Sequence, residues 1–148
     1  MQERFARPLS ITATLVAVVA VWLLAISKGL FGNSPISVAV QVLGILLVLW
    51  ARFTFGFRSF HVAANPTRGA LVTAGPYRYV RNPIYLGALL VISAGVAVHP
   101  SAGNLGLSAV AAIALVTRII CEERLLRLAY PEYQDYAKKT ARLIPFVI

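Results

Sequence analysis

The sequence predicts an all-α, polytopic integral membrane protein, with about four transmembrane helices followed by an amphipathic helix on the cytoplasmic side. Three observations carry that prediction. Of 148 residues, 59% are hydrophobic and only 13% charged, where soluble domains average about 25% charged. The apolar residues come in long unbroken runs rather than in alternation. All but one of the 14 Lys and Arg residues fall on one side of the predicted spans. At this length the chain reads as one domain, 1–148, with two N-terminal transmembrane helices in 1–57 and a second half, 68–148, that carries the chemistry.

Residues 1–8 are polar. Leu9 to Ile26 is an apolar run softened only by Ser10, Thr12 and Thr14. At 1.5 Å per residue it rises roughly 27 Å, close to the hydrocarbon thickness. A signal peptide would share the positive flank and apolar core. No small-x-small cleavage site follows, however, and more spans come after, so the run is read as a retained helix. Ser27 to Pro35 is a connection rich in turn formers. Ile36 to Trp50 is the second span and can run on through Phe57, with Arg52 snorkelling and Trp50 in the interfacial belt. Gln41, inside it, is expected to hydrogen-bond to another helix.

Residues 58–83 form the long polar segment, broken at Asn65-Pro66 and Gly75-Pro76. Ile84 to Val98 is the third span, with Asn82 and Pro83 in the positions of N-cap and first helical residue. After a turn over His99 to Asn104, Leu105 to Ile120 is the fourth span, with Ser108 and Ala112 as a small-xxx-small contact. The helix continues through Glu122, Glu123, Arg124 and Arg127 until Pro131. A short amphipathic helix follows, with Tyr133 and Tyr136 on one face.

With four spans, the N-terminus, the 51–83 segment and the C-terminal tail share one side. That side holds every acidic residue and every Lys and Arg except Lys28. The positive-inside rule makes it cytoplasmic, termini included. The net charge of +9 is accounted for by orientation and anionic lipid, and no nucleic acid is implied. The single cysteine, Cys121, excludes an internal disulfide and reads as packing.

Many catalytic arrangements can be dismissed. His61 and His99 fall on opposite sides of the membrane, and no Cys/His metal spacing exists, so no metal site is expected. No Walker sequence or dinucleotide fingerprint is present. What remains is a binding site whose cofactor must bring the reactivity. The strongest candidate is Gly75-Pro76-Tyr77-Arg78-Tyr79-Val80-Arg81-Asn82-Pro83-Ile84-Tyr85-Leu86-Gly87, which is aromatic, cationic and conformationally fixed at once. Arg78 and Arg81 suit a carboxylate or phosphate near a helix N-terminus; their plainer reading is orientation charge. Asn82 is equally a helix cap, and Tyr77 and Tyr85 are equally belt residues. Glu122 and Glu123 can form ordinary i, i+4 pairs with Arg118 and Arg127. Alternatively, one of them faces a pocket, since neighbours on a helix point about 100° apart.

Taken together, the 75–87 segment, the Glu122-Glu123 pair and the tail Tyr133, Tyr136, Arg142 and Pro145 resemble the isoprenylcysteine carboxyl methyltransferase family and the related phospholipid N-methyltransferases. That family has an Arg-His-Pro-x-Tyr core before a membrane helix, a Glu-Glu pair after the next helix, and a Tyr-x-x-Tyr leading to an Arg and a Pro. The resemblance covers about residues 68–148. Asn82 stands where many members have histidine, and residues 129–131 lack the family's Phe-Gly.

The resemblance implies S-adenosylmethionine as cofactor and a lipophilic acceptor from the bilayer, a small molecule or prenylated substrate. It implies cofactor contacts from Tyr77, Arg81, Asn82, Pro83, Tyr85, Glu122, Glu123 and Tyr133, with Arg81 on the carboxylate and Tyr85 and Tyr133 on the adenine. A cation from Arg52, Arg58 or Arg78 would serve an acceptor carboxylate. An isoprenylcysteine-like carboxylate is the preferred acceptor; a phospholipid amine is the alternative. A non-catalytic protein that binds lipid or a partner through its basic loop is the competing class, and a homodimer is left open.

Overall fold

The computed structural model describes residues 2–56 and 71–144, with side chains from residue 5 onward. Arg58, His61 and Pro145 lie outside the described residues. Among the described residues, five α-helices and one 3-10 turn follow in order: α1 Gln2–Ile26, α2 Pro35–Phe55, the turn Gly75–Arg78, α3 Pro83–Val98, α4 Ala102–Ala129 and α5 Tyr133–Lys139. The fold is all-helical and polytopic. Three helices, α1, α2 and α4, are long and apolar enough to cross a membrane. The fourth expected span, α3, has only 16 residues. It rises about 24 Å, short of the roughly 30 Å hydrocarbon core.

Local chemistry explains the helix ends. Ser34 opens α2 with a capping box: its side chain accepts from Ser37 N–H at 3.2 Å, and Ser37 Oγ accepts from Ser34 N–H at 3.2 Å. Gly56 closes α2 at φ 72°, a left-handed backbone that favours glycine. Ser101 caps α4 by accepting from Asn104 N–H at 3.1 Å. Pro131 ends the continuous helix two residues after Ala129, as expected.

The bundle is built from two intimate pairs, α1 with α4 and α2 with α3. On α1, the buried residues are Ala6, Ser10, Ala13, Ala17, Ala20 and Leu24. Their alternating four- and three-residue spacing lays one small-residue stripe along the helix, which lets α4 approach closely. The matching positions on α4 include Asn104, Ala111, Ala114, Cys121 and Leu125. The predicted Ser108–Ala112 contact is therefore shifted around the helix: Ala111 and Ala114 are the buried small residues, and Ser108 Oγ donates back to the Leu105 carbonyl instead.

Between α2 and α3 the approach is closer still. A Cβ on Gly87 would lie 2.5 Å from the Gly44 carbonyl oxygen, and one on Gly44 would lie 2.7 Å from that of Gly87. Gln41 bonds across helices as predicted. Its Nε2 donates to the carbonyls of Leu30 at 2.6 Å and Val91 at 3.1 Å, while its Oε1 accepts from Gly32 N–H at 3.0 Å. The two pairs meet in a core of Ala20, Leu24, Ile92, Val96 and Ala111. Large apolar side chains such as Leu15, Trp22, Leu43 and Phe53 stay exposed on the outer faces, where a bilayer replaces water as solvent.

Candidate active site

Polar side chains gather where α3 begins and α4 ends. Glu123 is the centre: it is only 2% exposed, and both carboxylate oxygens are engaged. Oε1 accepts from Arg81 Nε and from Asn82 Nδ2, each at 3.2 Å. Oε2 accepts from Arg142 Nε at 3.2 Å, with Arg127 at 3.7 Å. A buried carboxylate survives only when paired and hydrogen-bonded. Here three guanidinium groups surround one carboxylate, so the cluster carries surplus positive charge. Arg81 is nearly buried, whereas Arg127 and Arg142 are partly open to solvent.

The tail is strapped onto the 75–87 segment. Arg81 Nη1 donates to the carbonyl of Ala137 at 2.6 Å and to that of Thr140. These are C-terminal groups of α5, left unpaired by the helix and favourable to a cation. A parallel bridge joins Val80 to Ala141: Arg81 N–H donates to the Ala141 carbonyl at 2.8 Å, and Ala141 N–H to that of Tyr79 at 3.1 Å. Asn82 Nδ2 donates to the Arg142 carbonyl at 3.1 Å, and Tyr136 Oη to the Tyr77 carbonyl at 2.7 Å. Gly75, at φ 57°, takes a left-handed turn against Thr54 of α2, and the Tyr77 ring sits 5.7 Å from Phe55. Burial pushes the Tyr77 and Tyr133 phenols above their ordinary range and takes Tyr136 up to about 12, so all three stay protonated at neutral pH.

A second cluster lies beside the first, deeper in the bundle. Arg118 Nε donates to Tyr85 Oη at 2.6 Å and Glu122 Oε1 at 2.9 Å, and Arg118 Nη1 bonds Thr14 Oγ1. It ties α1, α3 and α4 together. Thr14 Oγ1 itself donates to the Ser10 carbonyl at 2.7 Å.

The predicted residues therefore divide. Arg81, Asn82 and Glu123 converge, with Pro83 fully buried beneath them. Asn82 does occupy the N-cap position of α3, but its side chain makes no cap; its Nδ2 donates instead to the buried Glu123 carboxylate and to the Arg142 carbonyl. Arg81 is engaged by Glu123 and the tail carbonyls rather than opening onto a pocket. Tyr133 is 1% exposed and packs edge-on against Tyr136. Glu122 and Tyr85 belong to the Arg118 cluster. Arg52 lies in the last turn of α2, and Arg78 is exposed on the 3-10 turn. The Glu122–Arg118 and Glu123–Arg127 pairs appear as the spacing predicts; sequence reasoning missed the parts of Arg142, Thr14 and Tyr136 in these clusters. For Thr14 a signal existed: Ser10 and Thr14, four apart in a run whose other polar residue is Thr12, put two hydroxyls on one helix face.

Fold and clusters define a helical membrane protein with a polar, cation-rich site at one end of its bundle. Comparison with known families agrees: a model of the phospholipid methyltransferase family matches residues 34–133. The chain belongs to that family, and so to the membrane methyltransferases. The match takes in α2, α3, α4, Arg81 and Glu123, and leaves α1 and Arg142 outside it. Among curated proteins, the cobalt-zinc-cadmium resistance protein CzcN of Cupriavidus metallidurans is 28% identical over 76% of this chain and 50% of its own length. The nickel-cobalt-cadmium resistance protein NccN of Alcaligenes xylosoxydans xylosoxydans is 29% identical over 86% of this chain and 61% of its own. The chain thus spans between half and two thirds of these relatives' length. No solved structure matches it significantly.

Proposed function

We propose that this chain transfers a methyl group from S-adenosylmethionine to the head group of a lipophilic acceptor, with the carboxylate of an isoprenylcysteine-like molecule as the preferred acceptor. The observation that carries the reading is the Glu123 cluster. Its surplus of positive charge, partly open at Arg127 and Arg142, fits the cofactor's carboxylate, and Glu123 sets those guanidinium groups in place. The fit differs from the sequence expectation in one respect. Arg81 holds the tail that presents Arg142, so Arg142 takes the ligand-facing role.

When bound, the cofactor supplies an already activated methyl on a sulfonium sulfur, so the chain need only position the acceptor in line and exclude water. A carboxylate acceptor needs no general base, which suits a site built from guanidinium groups, buried phenols and an engaged glutamate. We assign Arg52, Arg58 and Arg78 to the approach of an anionic acceptor along the basic face. By the positive-inside rule, that face and both ends of the chain lie in the cytoplasm. The description of the matching family favours a second reading, transfer to a phospholipid amine. That amine would first have to lose a proton, which an apolar pocket eases by lowering its pKa. The relatives' names suggest a setting of metal resistance, where esterifying a carboxylate would remove a hard oxygen ligand for divalent cations.

Calorimetry of S-adenosylmethionine with the purified protein tests the reading, with Arg142→Ala as control. Saturable binding that weakens in the variant supports it, and transfer of labelled methyl to a prenylcysteine or to phosphatidylethanolamine then decides the acceptor. A folded protein with no cofactor affinity would instead point to a lipid- or partner-binding protein.

A further inference from the structure

An apolar groove of about 290 Å³ runs along the seam of α1 and α4, lined by Leu15, Val16, Val19, Ala20, Leu23, Leu107 and Val110. From Leu15 to Leu23 it covers about 12 Å of helix rise. Leu15, Val16, Val19 and Val110 are exposed on the outer face, so the groove opens sideways to hydrocarbon rather than to water. The groove itself is apolar throughout; just past its Leu15 end, outside the lining, Thr14 is bonded to Arg118, which holds Tyr85 and Glu122.

One further group stands there. Ser10 is fully buried, and its hydroxyl has no hydrogen-bond partner among the described residues. Its place follows from the antiparallel pairing of α1 with α4. Thr14 meets Arg118, and one turn beyond Ser10, Ala6 packs on Leu125. Ser10 is therefore level with Cys121 and Glu122, on the face that carries the Arg118 cluster. An unpartnered buried hydroxyl costs free energy unless something accepts from it. A guanidinium and a spare O–H at the end of a hydrocarbon track fit an acceptor-rich, anionic head on a single apolar tail.

We infer that the α1–α4 seam is the site of the methyl acceptor: a single-chain membrane amphiphile with a carboxylate head, its tail in the groove and its head beside Ser10, Thr14 and Arg118. The inference rests on the methyltransferase reading and deepens it. Glu122 and Glu123 then divide the work, Glu122 on the acceptor side and Glu123 on the cofactor side. The short α3 helps. Counted from the far end of the bundle, Thr14, Tyr85 and Arg118 lie about 18–24 Å in, so the head sits below the cytoplasmic boundary of a roughly 30 Å core and within reach of a bilayer-borne molecule. It also gives α1, which lies outside the family match, a direct part in substrate choice.

The test uses the full chain in nanodiscs with a photoactivatable prenyl-cysteine carboxylate, and cofactor calorimetry run in parallel. Labelling is expected in residues 15–23 and 107–110. It should saturate and be displaced by an alkyl carboxylate but not by an alkyl trimethylammonium of equal length. Val19→Trp, at a lipid-facing position where folding should survive, should raise the acceptor KM at least about tenfold with cofactor affinity unchanged, since each displaced methylene is worth about a factor of four. Leu43→Trp on the outer face of α2 should do nothing, and Ser10→Ala should weaken labelling severalfold. Labelling spread evenly over the lipid-facing helices, or displaced equally by the cation, means bilayer contact only and overturns the inference even if the cofactor binds. Specific labelling without cofactor affinity would keep the groove as a lipid site and overturn the methyltransferase reading.

Discussion

Glu122 and Glu123 are consecutive on α4 yet serve different clusters. Glu122 accepts from Arg118 within the bundle, at 2.9 Å. Glu123 accepts from Arg81, Asn82 and Arg142 beneath the tail. The turn of about 100° between neighbours on a helix is enough to separate them. Each has its i, i+4 partner, Arg118 or Arg127, so helix pairing and site assembly coexist at the same residues.

Replacing Glu123 by Gln should be the most damaging single change near the site. It keeps the shape but leaves Arg81, Arg127 and Arg142 without their countercharge. Breaking a buried ion pair typically costs about 3–5 kcal/mol. A lower melting temperature in detergent and faster proteolysis of residues 133–144 are expected, and an unchanged tail would show that Arg81 holds it through the carbonyls alone.

Gly87→Val should force α2 and α3 apart. The first added carbon already meets the Gly44 carbonyl at 2.5 Å and Val48 Cγ2 at 2.6 Å. Overpacking of this kind costs about 1–3 kcal/mol. Thermal denaturation measures it, and Gly44→Ala should produce a smaller loss from the opposite side of the same contact.

Tyr136→Phe removes the hydrogen bond to the Tyr77 carbonyl, worth about 0.5–1.5 kcal/mol. Its pH dependence has a definite sign. Burial raises the folded pKa from an ordinary 10.0 to about 12. The stabilisation is therefore complete below about pH 10 and is lost as pH rises through about 12. Tail proteolysis of the native protein should converge on that of Tyr136→Phe across this interval; a constant gap would mean that the phenol's proton plays no part.

Gln41→Leu should loosen the opposite end of the bundle while leaving the site untouched. It removes bonds to Leu30, Val91 and Gly32, each worth about 0.6–1.7 kcal/mol in a membrane. Reduced thermal stability with unchanged cofactor affinity is the expected result.

The helices were legible because apolar runs and turn residues are local. The 75–87 segment and the Glu-Glu pair stood out because nothing about packing in lipid calls for them. The partnerships were not legible. Asn82 reads as a cap from its neighbours alone, and only the buried carboxylate 41 residues away turns its amide aside. Arg81 reads as a ligand-binding cation until the carbonyls of Ala137 and Thr140 are brought to it. Ser10 and Thr14 read as softening in an apolar run, because their significance depends on which helix lies opposite. Local pattern carries the elements; burial of charge at long sequence separation decides the site.

The bridge between Val80 and Ala141 has a consequence for biosynthesis. Membrane helices are handed to the bilayer in the order in which they are translated, and domains assemble from the N-terminal end as the chain emerges. Until residues 136–142 have been made, the Glu123 carboxylate has no Arg142, and the 75–87 segment has no strap. A chain cut short after α4 would keep the helices of both pairs but lack Arg142 and the strap, so the cluster around Glu123 is completed only once residues 136–142 have been made.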